Sequence, residues 1–215
     1  MPLFEKGLIK TIPIKTFPIE QAIHAFEYMQ AAKHIGKVVI TLPPQSSIAD
    51  KIHSDATYLI TGGLGGLGLT LAKWLIDNGA QHLVLTGRRE SDMALLKSLE
   101  APNTSITYEM LDVSNEKSVA DLLERISLSP NRLKGIFHLA GVLDDATLME
   151  QTWDHFEKVF VPKVYGSYYL HHYSKDLDLF VMFSSIASSI GSPGQSNYAA
   201  ANAFMDGLSE YRKLQ

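Results

Sequence analysis

YLITGGLGGLGLTLAKWL, residues 58–75, passes from a short apolar run through a cluster of glycines into an amphipathic stretch. The run predicts a strand over 57–61, and the spacing of apolar residues after it predicts a helix over 68–78. Between them, Gly63, Gly65 and Gly68 match G-x-G-x-x-G, while Thr61, Gly62, Gly66 and Gly68 match T-G-x-x-x-G-x-G. Missing side chains let backbone approach a pyrophosphate, whose charge is favoured by the N–H groups at a helix N-terminus. The competing reading is a tight turn with no ligand. So many permissive residues carry an entropic cost that a plain turn does not require.

Working outward, the pattern repeats. HLVLT (82–86), SITYEM (105–110), GIFHLA (135–140) and LFVMFSS (179–185) are further short strand-like runs, with a helical stretch such as 119–127 between two of them. Continuous apolar strands alternating with helices predict a parallel sheet covered on both faces, the α/β doubly wound Rossmann-type architecture. Ligands of that fold sit at the carboxyl ends of the strands. Towards the N-terminus, TLPPQSSIADKIHSD (41–55) lacks hydrophobic periodicity and reads as a linker. Before it lie an extended stretch, a helix over 19–32 and a short strand over 37–42. Ile19, Ala22, Ile23, Phe26 and Met29 fall on one helix face, which needs a partner. About forty residues do not supply their own core, so this appendage belongs to a larger domain or packs on the unit beyond the linker.

With 215 residues and a formal charge of −4, the chain is long enough for a sizeable core and carries no basic stripe. Nucleic acid and anionic membrane are therefore not expected as partners. The absence of cysteine excludes disulfides, thiolate metal sites and a cysteine nucleophile. The eight histidines form no H-E-x-x-H, and no metal is expected. No apolar run is long enough to span a bilayer and no leader is visible, so a cytoplasmic location is the expectation.

The second strand ends in LTGRRE (85–90). Where an NAD site presents an acid to the ribose 2′-hydroxyl, Arg88 and Arg89 offer cationic forks suited to a 2′-phosphate, which favours NADPH. Arg88 is the expected phosphate ligand; one of the pair serves equally as a solvated charge. Asp112, in MLDVSN (110–115), either accepts from an adenine amino group or caps the next segment.

With TGGLGGLG (61–68), HLAG (138–141), a serine after the fifth strand and Tyr198, residues 56–215 resemble the short-chain dehydrogenase/reductase superfamily. The closer resemblance is to ketoreductase domains of modular polyketide synthases and animal-type fatty acid synthases. FSSIASSIGSPGQSNYAAANAFMDGL (183–208) carries most of it, supported by GIFHLAGVLDDATL (135–148) and PKVYGSYYLH (162–171). Most of the superfamily has Tyr-x-x-x-Lys with an asparagine on the preceding helix. Here Asn202 occupies the position four after Tyr198, about 6 Å along the axis, and Lys163 lies on the preceding helix, as if the two had been exchanged.

The resemblance implies that Tyr198 protonates the alkoxide formed at a β-carbonyl, that Ser185 hydrogen-bonds the same oxygen, that Lys163 binds the nicotinamide ribose and that Asn202 organises a relay water. A cation near the phenol favours the phenolate. It also implies a cofactor set of Thr61, Gly62, Gly63, Gly65, Gly66, Leu67, Gly68, Arg88, Arg89, Asp112, Val113, Ala140 and Gly141. By the same analogy, Leu143, Asp144 and Asp145, with Pro193 and Asn197, go with the type that makes a D-configured β-hydroxyl; Ile190 stands where the opposite type has tryptophan. Structural alternatives exist for each: Tyr198 as a packed aromatic, Lys163 as a solvated charge, Ser185 as a strand-end hydroxyl, Asn202 as a surface amide, the acidic pair as an ordinary polar loop.

TFPIEQAIHAFEYMQAAKHIGKVVITLP (16–43) is similar to the carboxyl-terminal end of medium-chain enoyl and quinone reductases, which implies an enoyl reductase-like tail over 1–42, a linker over 43–55 and the ketoreductase unit at 56–215. That arrangement fits a segment of a fully reducing synthase, with neighbouring synthase domains and an acyl carrier protein bearing a β-ketoacyl thioester as partners. Family members continue past the Tyr198 helix with another strand and a lid, so the unit is expected to be incomplete at its C-terminal end and its turnover impaired. Two rival functions remain: an inactive nucleotide-binding module, and a free-standing sugar-nucleotide epimerase or dehydratase. Asn202 disfavours the second, because those enzymes keep lysine there.

Overall fold

The computed structural model describes residues 12–32, 35–42, 47–90 and 93–215, in two units that divide between Ser47 and Ile48. In the first unit, β1 (Ile14–Pro18) leads through a 3-10 turn (Ile19–Gln21) into α1 (Ala22–Gln30), and β2 (Lys37–Thr41) pairs parallel with β1. Ala25 is the one buried residue of α1, and Tyr28 leans on Phe17 with the Lys15 ammonium 4.1 Å from its ring. The face of Ile23, Phe26 and Met29 is left exposed. The inner stripe of this unit is thus Ala22, Ala25 and Tyr28 instead of the face that the apolar periodicity indicates, and the expected helix over 19–32 is shortened at both ends. Of the expected linker, Ile48–Lys51 form a 3-10 turn, and 43–46 lie outside the described residues.

In the second unit, five strands make one parallel sheet in the order β5-β4-β3-β6-β7: β3 (Thr57–Thr61), β4 (His82–Gly87), β5 (Ser105–Met110), β6 (Leu133–His138) and β7 (Leu179–Met182). Helices α2 (Gly66–Asp77), α3 (Met93–Lys97), α4 (Glu116–Ser127), α5 (Trp153–Phe160), α6 (Gly166–Tyr173), α7 (Ala187–Ile190) and α8 (Ser196–Lys213) complete it. The apolar run of β3 serves two cores at once. Tyr58 and Ile60 pack with Ala72 and Leu75 of α2, whereas Leu59 points the other way into Val119, Leu122 and Ile126 of α4 and Leu170 of α6. Alternation along one strand therefore buries both faces of the sheet.

Chain order runs outward from β3 to β5 on one side and from β6 to β7 on the other, so the direction of winding reverses between β3 and β6. A crevice opens at such a switch point, beyond the strand ends. Two expected strands end sooner than their apolar runs: β6 stops at His138 and β7 at Met182, leaving Leu139, Ala140 and Ser185 in the loops above the sheet.

Candidate active site

The glycine turn after β3 is shaped by close backbone contacts. Gly62 has φ +70°, a left-handed value that favours glycine, and a Cβ there would lie 3.1 Å from the Ala140 nitrogen. A Cβ on Gly68 would stand 2.5 Å from the Gly62 carbonyl oxygen, so the start of α2 folds back on the turn only without a side chain. Around Gly66 the space is open, and no side chain caps the N-terminus of α2. Open room against an uncapped helix end fits a pyrophosphate.

Beside this turn lies a cavity of about 550 Å³. Its walls bring together Gly62, Gly65, Arg88, Arg89, Asp112 and Val113, with Ala140 and Gly141 on the β6 side. The other expected cofactor residues take different places. Thr61, Gly63 and Gly68 are buried behind the turn, where they pack it, and Gly66 and Leu67 are exposed at the start of α2. Asp112 does not cap α4. Its Oδ1 accepts from the Ser114 N–H and hydroxyl at 2.9 and 2.7 Å, while the helix is capped by Asn115, whose Oδ1 accepts from the Ser118 N–H.

On the far side of the β6 loop, Lys163 is 5 % exposed and Asn202 fully buried, which removes the solvated-charge and surface-amide readings. The Lys163 ammonium donates to Asn202 Oδ1 at 3.0 Å and to the Phe183 carbonyl at 3.1 Å, and it lies 5.1 Å from the centre of the Tyr198 ring. Its stem runs past Gly141: a Cβ there would lie 3.1 Å from Lys163 Cε. One of the residues that line the cavity is therefore the one that lets the lysine pass. Burial draws the Lys163 ammonium down to about 8, opposed by the charge of Asp206. Ser185 is half-buried at the end of the β7 loop, and its Oγ accepts from the Ala187 N–H at 3.2 Å.

Lys163 sits in no ordinary helix. Val161–Tyr165 form a π turn between α5 and α6 with Pro162 near its start, and the missing N–H of that proline interrupts the hydrogen-bond ladder. That turn, and the buried His138 packed behind it, carry no signal in residue spacing; only the proline hinted at them.

The residues expected to govern stereochemistry are linked rather than independent. Asn197 is fully buried, and its Nδ2 donates to the carbonyls of Asp144 and His155 at 2.8 and 2.9 Å. Gln195 donates to Asp145 Oδ2 at 2.8 Å, and the Lys158 ammonium lies 3.0 Å from Asp144 Oδ2. Leu143 and Pro193 are exposed. The loop after β6 is thereby tied to the segment that delivers Tyr198. Among the described residues no cluster of His, Asp or Glu could hold a metal ion, and no helix is long and apolar enough to cross a membrane.

The sequence profile described as "KR domain" matches residues 56–215, and one described as "Zinc-binding dehydrogenase" matches residues 1–40. The highly reducing polyketide synthase gloL of Glarea lozoyensis is 38% identical over 226 residues, which take in 99% of this chain and 9% of that protein. The phenolphthiocerol synthesis polyketide synthase type I Pks15/1 of Mycobacterium marinum is 40% identical over 218 residues, 98% of this chain and 10% of its own. The chain thus spans about a tenth of these curated relatives. Among solved structures, an N-terminal ketoreductase from the macrolactin assembly line matches with TM-score 0.72 at 28% identity, covering 99% of this chain and 47% of that one. An A1-type ketoreductase matches with TM-score 0.70 at 36% identity, covering 80% and 37%.

Proposed function

The chain belongs to the KR domain family, and from that membership we propose that it reduces a β-ketoacyl thioester, carried on an acyl carrier protein, to a D-configured β-hydroxyacyl thioester with NADPH. The observation that carries the reading is the meeting of Lys163, Asn202 and Tyr198 beside the glycine-turn cavity. Matches to polyketide synthases over nearly the whole chain support neighbouring synthase domains as partners. We assign 1–42 to the tail of an enoyl reductase-like domain, 43–55 to a linker and 56–215 to the ketoreductase. Family matches over 1–40 and 56–215 support that division. A cytoplasmic location goes with it.

The cavity fits a nicotinamide dinucleotide phosphate: open glycine backbone for the pyrophosphate, Arg88 and Arg89 for the 2′-phosphate, Asp112 for the adenine amino group. When bound, that group supplies the hydride. Tyr198 then gives its phenolic proton to the alkoxide oxygen, which Ser185 steadies with its hydroxyl as charge appears there. Lys163 holds a positive charge where the phenolate forms, and Asn202 fixes the direction of that ammonium. Leu143, Asp144, Asp145, Pro193 and Asn197 set which face of the carbonyl is presented.

The test is NADPH oxidation by the intact synthase chain with a β-keto thioester, comparing Tyr198→Phe and Lys163→Ala. Each variant should lower kcat by about 100-fold or more. Full rate in both would overturn the assigned roles.

A further inference from the structure

The Pro162 carbonyl does not receive the bond that a regular α-helix would give it. In an unbroken α-helix the Gly166 N–H would bond the Pro162 carbonyl. Here it bonds the carbonyls of Val161 and Lys163 and passes over Pro162. His138 Nε2 lies 3.0 Å from that oxygen, and His138 Nδ1 lies 2.7 Å from Thr61 Oγ1. A carbonyl only accepts, so Nε2 carries the proton and Nδ1 receives the Thr61 hydroxyl. Thr61 Oγ1 in turn accepts from the Ala140 N–H at 3.3 Å. His138 is 1 % exposed and Thr61 fully buried. Burial first, and the charge of Lys163 second, bring His138 down to about 4, so the ring is neutral under ordinary conditions and keeps this one tautomer.

The same residue reaches Lys163 from the other end. The His138 carbonyl accepts from the Phe183 N–H at 3.0 Å, and the Phe183 carbonyl accepts from the Lys163 ammonium at 3.1 Å. His138 therefore holds both the peptide that precedes Lys163 and the carbonyl on which its ammonium rests. Close packing makes this possible: a Cβ on Gly166 would lie 2.8 Å from Val113 Cγ2 and 3.3 Å from His138 Cε1.

We propose that His138 is a positioning residue for Lys163, holding the π turn in register by engaging the Pro162 carbonyl. The proposal rests on the reductase reading, in which Lys163 serves the site. Without His138 the segment would be free to return to the α ladder from Gly166 to Pro162, rotating Lys163 relative to Asn202 and Tyr198.

Two substitutions in the intact synthase chain test it. His138→Asn keeps an amide near Thr61 but is too short for Pro162, whereas His138→Gln extends a donor to that carbonyl. The Asn variant should lose about 100-fold in kcat, the scale of an ångström-sized displacement, and the Gln variant should retain most of the rate. Adding Lys163→Ala to His138→Asn should lower kcat no further than Lys163→Ala alone. Hydrogen exchange on the cofactor-free protein gives a readout without turnover: amides of 161–167 should exchange faster in the Asn variant, β3 and β6 should stay protected, and Gln should restore protection. Because exchange does not depend on substrate, an inactive wild-type chain would undo the reductase reading and leave this one standing or falling separately. Additive losses, unchanged exchange over 161–167, or a His138→Asn protein that unfolds outright would each overturn the proposal, since the role assigned is local.

Discussion

The Lys163 ammonium stands 3.0 Å from Asn202 Oδ1 across 39 residues of sequence, and Asn202 Nδ2 donates to the Tyr198 carbonyl at 2.7 Å. Both polar ends of the Asn202 amide are thereby used, which fixes its orientation and aims the ammonium along the face of the Tyr198 helix. A buried cation is tolerated where acceptors meet it.

Removing one of those acceptors should be costly. Asn202→Leu leaves the ammonium with the Phe183 carbonyl and is expected to destabilise the unit by about 2–3 kcal/mol at neutral pH, the range for an unsatisfied charged group. Urea denaturation would measure it. The loss should shrink as pH rises beyond about 8, where Lys163 sheds its proton, and pairing Asn202→Leu with Lys163→Met should recover most of it.

Activity should show the same group. Lys163 falls from 10.5 to about 8, chiefly through burial, so the fold favours its neutral form, and its contribution to stability grows as pH rises from about 8 towards 10.5. In the proposed mechanism the ammonium is the working form, so kcat/KM should decline above about pH 8. Lys163→Arg keeps its charge through that range. Its alkaline limb should move upward even where the absolute rate is poor; an unmoved limb would assign the ionisation elsewhere.

His138 gives a second, acidic window. Its ordinary value of 6.5 falls to about 4 in the fold, so the unfolded chain binds the extra proton and stability is lost as pH drops from about 6.5 to about 4. The shift corresponds to roughly 3 kcal/mol. Unfolding free energies measured across that window should slope less steeply in His138→Gln, which has nothing to titrate there. An identical slope would show that the imidazole is not the responsible group.

These three groups also mark how far the residues alone could be read. The sheet was legible because β3 is apolar at every position but its two threonine ends, which burial on both faces explains, and the glycine turn was legible because side chains would collide there. Lys163 and Asn202 were paired through family resemblance: nothing in spacing brings residue 163 to residue 202. The π turn escaped because a one-residue change in hydrogen-bond register leaves apolar periodicity almost untouched, and only Pro162 marks it. His138 escaped because a buried histidine whose ring meets one backbone carbonyl and one threonine hydroxyl looks in sequence like any strand-end residue. In α1 the large apolar residues suggested one inner face, yet the two-stranded pair takes Ala25 and Tyr28 and leaves Phe26 outward.

Arg88 and Arg89 line the cavity together with Glu90, and the three leave room for specificity to be divided. Arg88→Ala should raise KM for NADPH by roughly 10- to 100-fold, the worth of a charge-assisted pair, while leaving KM for NADH nearly unchanged. Arg89→Ala should do less. Initial-rate measurements with both cofactors decide it: equal effects on NADH and NADPH would mean that Arg88 shapes the wall without touching the 2′-phosphate.

The proposed function gives Asn197 a part in stereochemistry, although it is fully buried and has no surface to offer a substrate. Its Nδ2 joins the Asp144 and His155 carbonyls, and its Oδ1 accepts from the Tyr198 N–H at 2.7 Å, so it couples the acidic loop, α5 and the start of the Tyr198 helix. Asn197→Ala would take a donor from the half-buried Asp144 and His155 carbonyls, at about 1 kcal/mol for each lost hydrogen bond, and let the acidic loop drift from the phenol. The expected result is a modest fall in rate with a larger rise in the minor β-hydroxy stereoisomer, read by chiral chromatography of the released product. Asp145→Asn keeps a partner for Gln195 and should leave the product ratio close to wild type. If Asn197→Ala slowed turnover with the ratio unchanged, the coupling of loop to helix would matter for stability alone, and control of the carbonyl face would have to lie with the exposed Leu143 and Pro193.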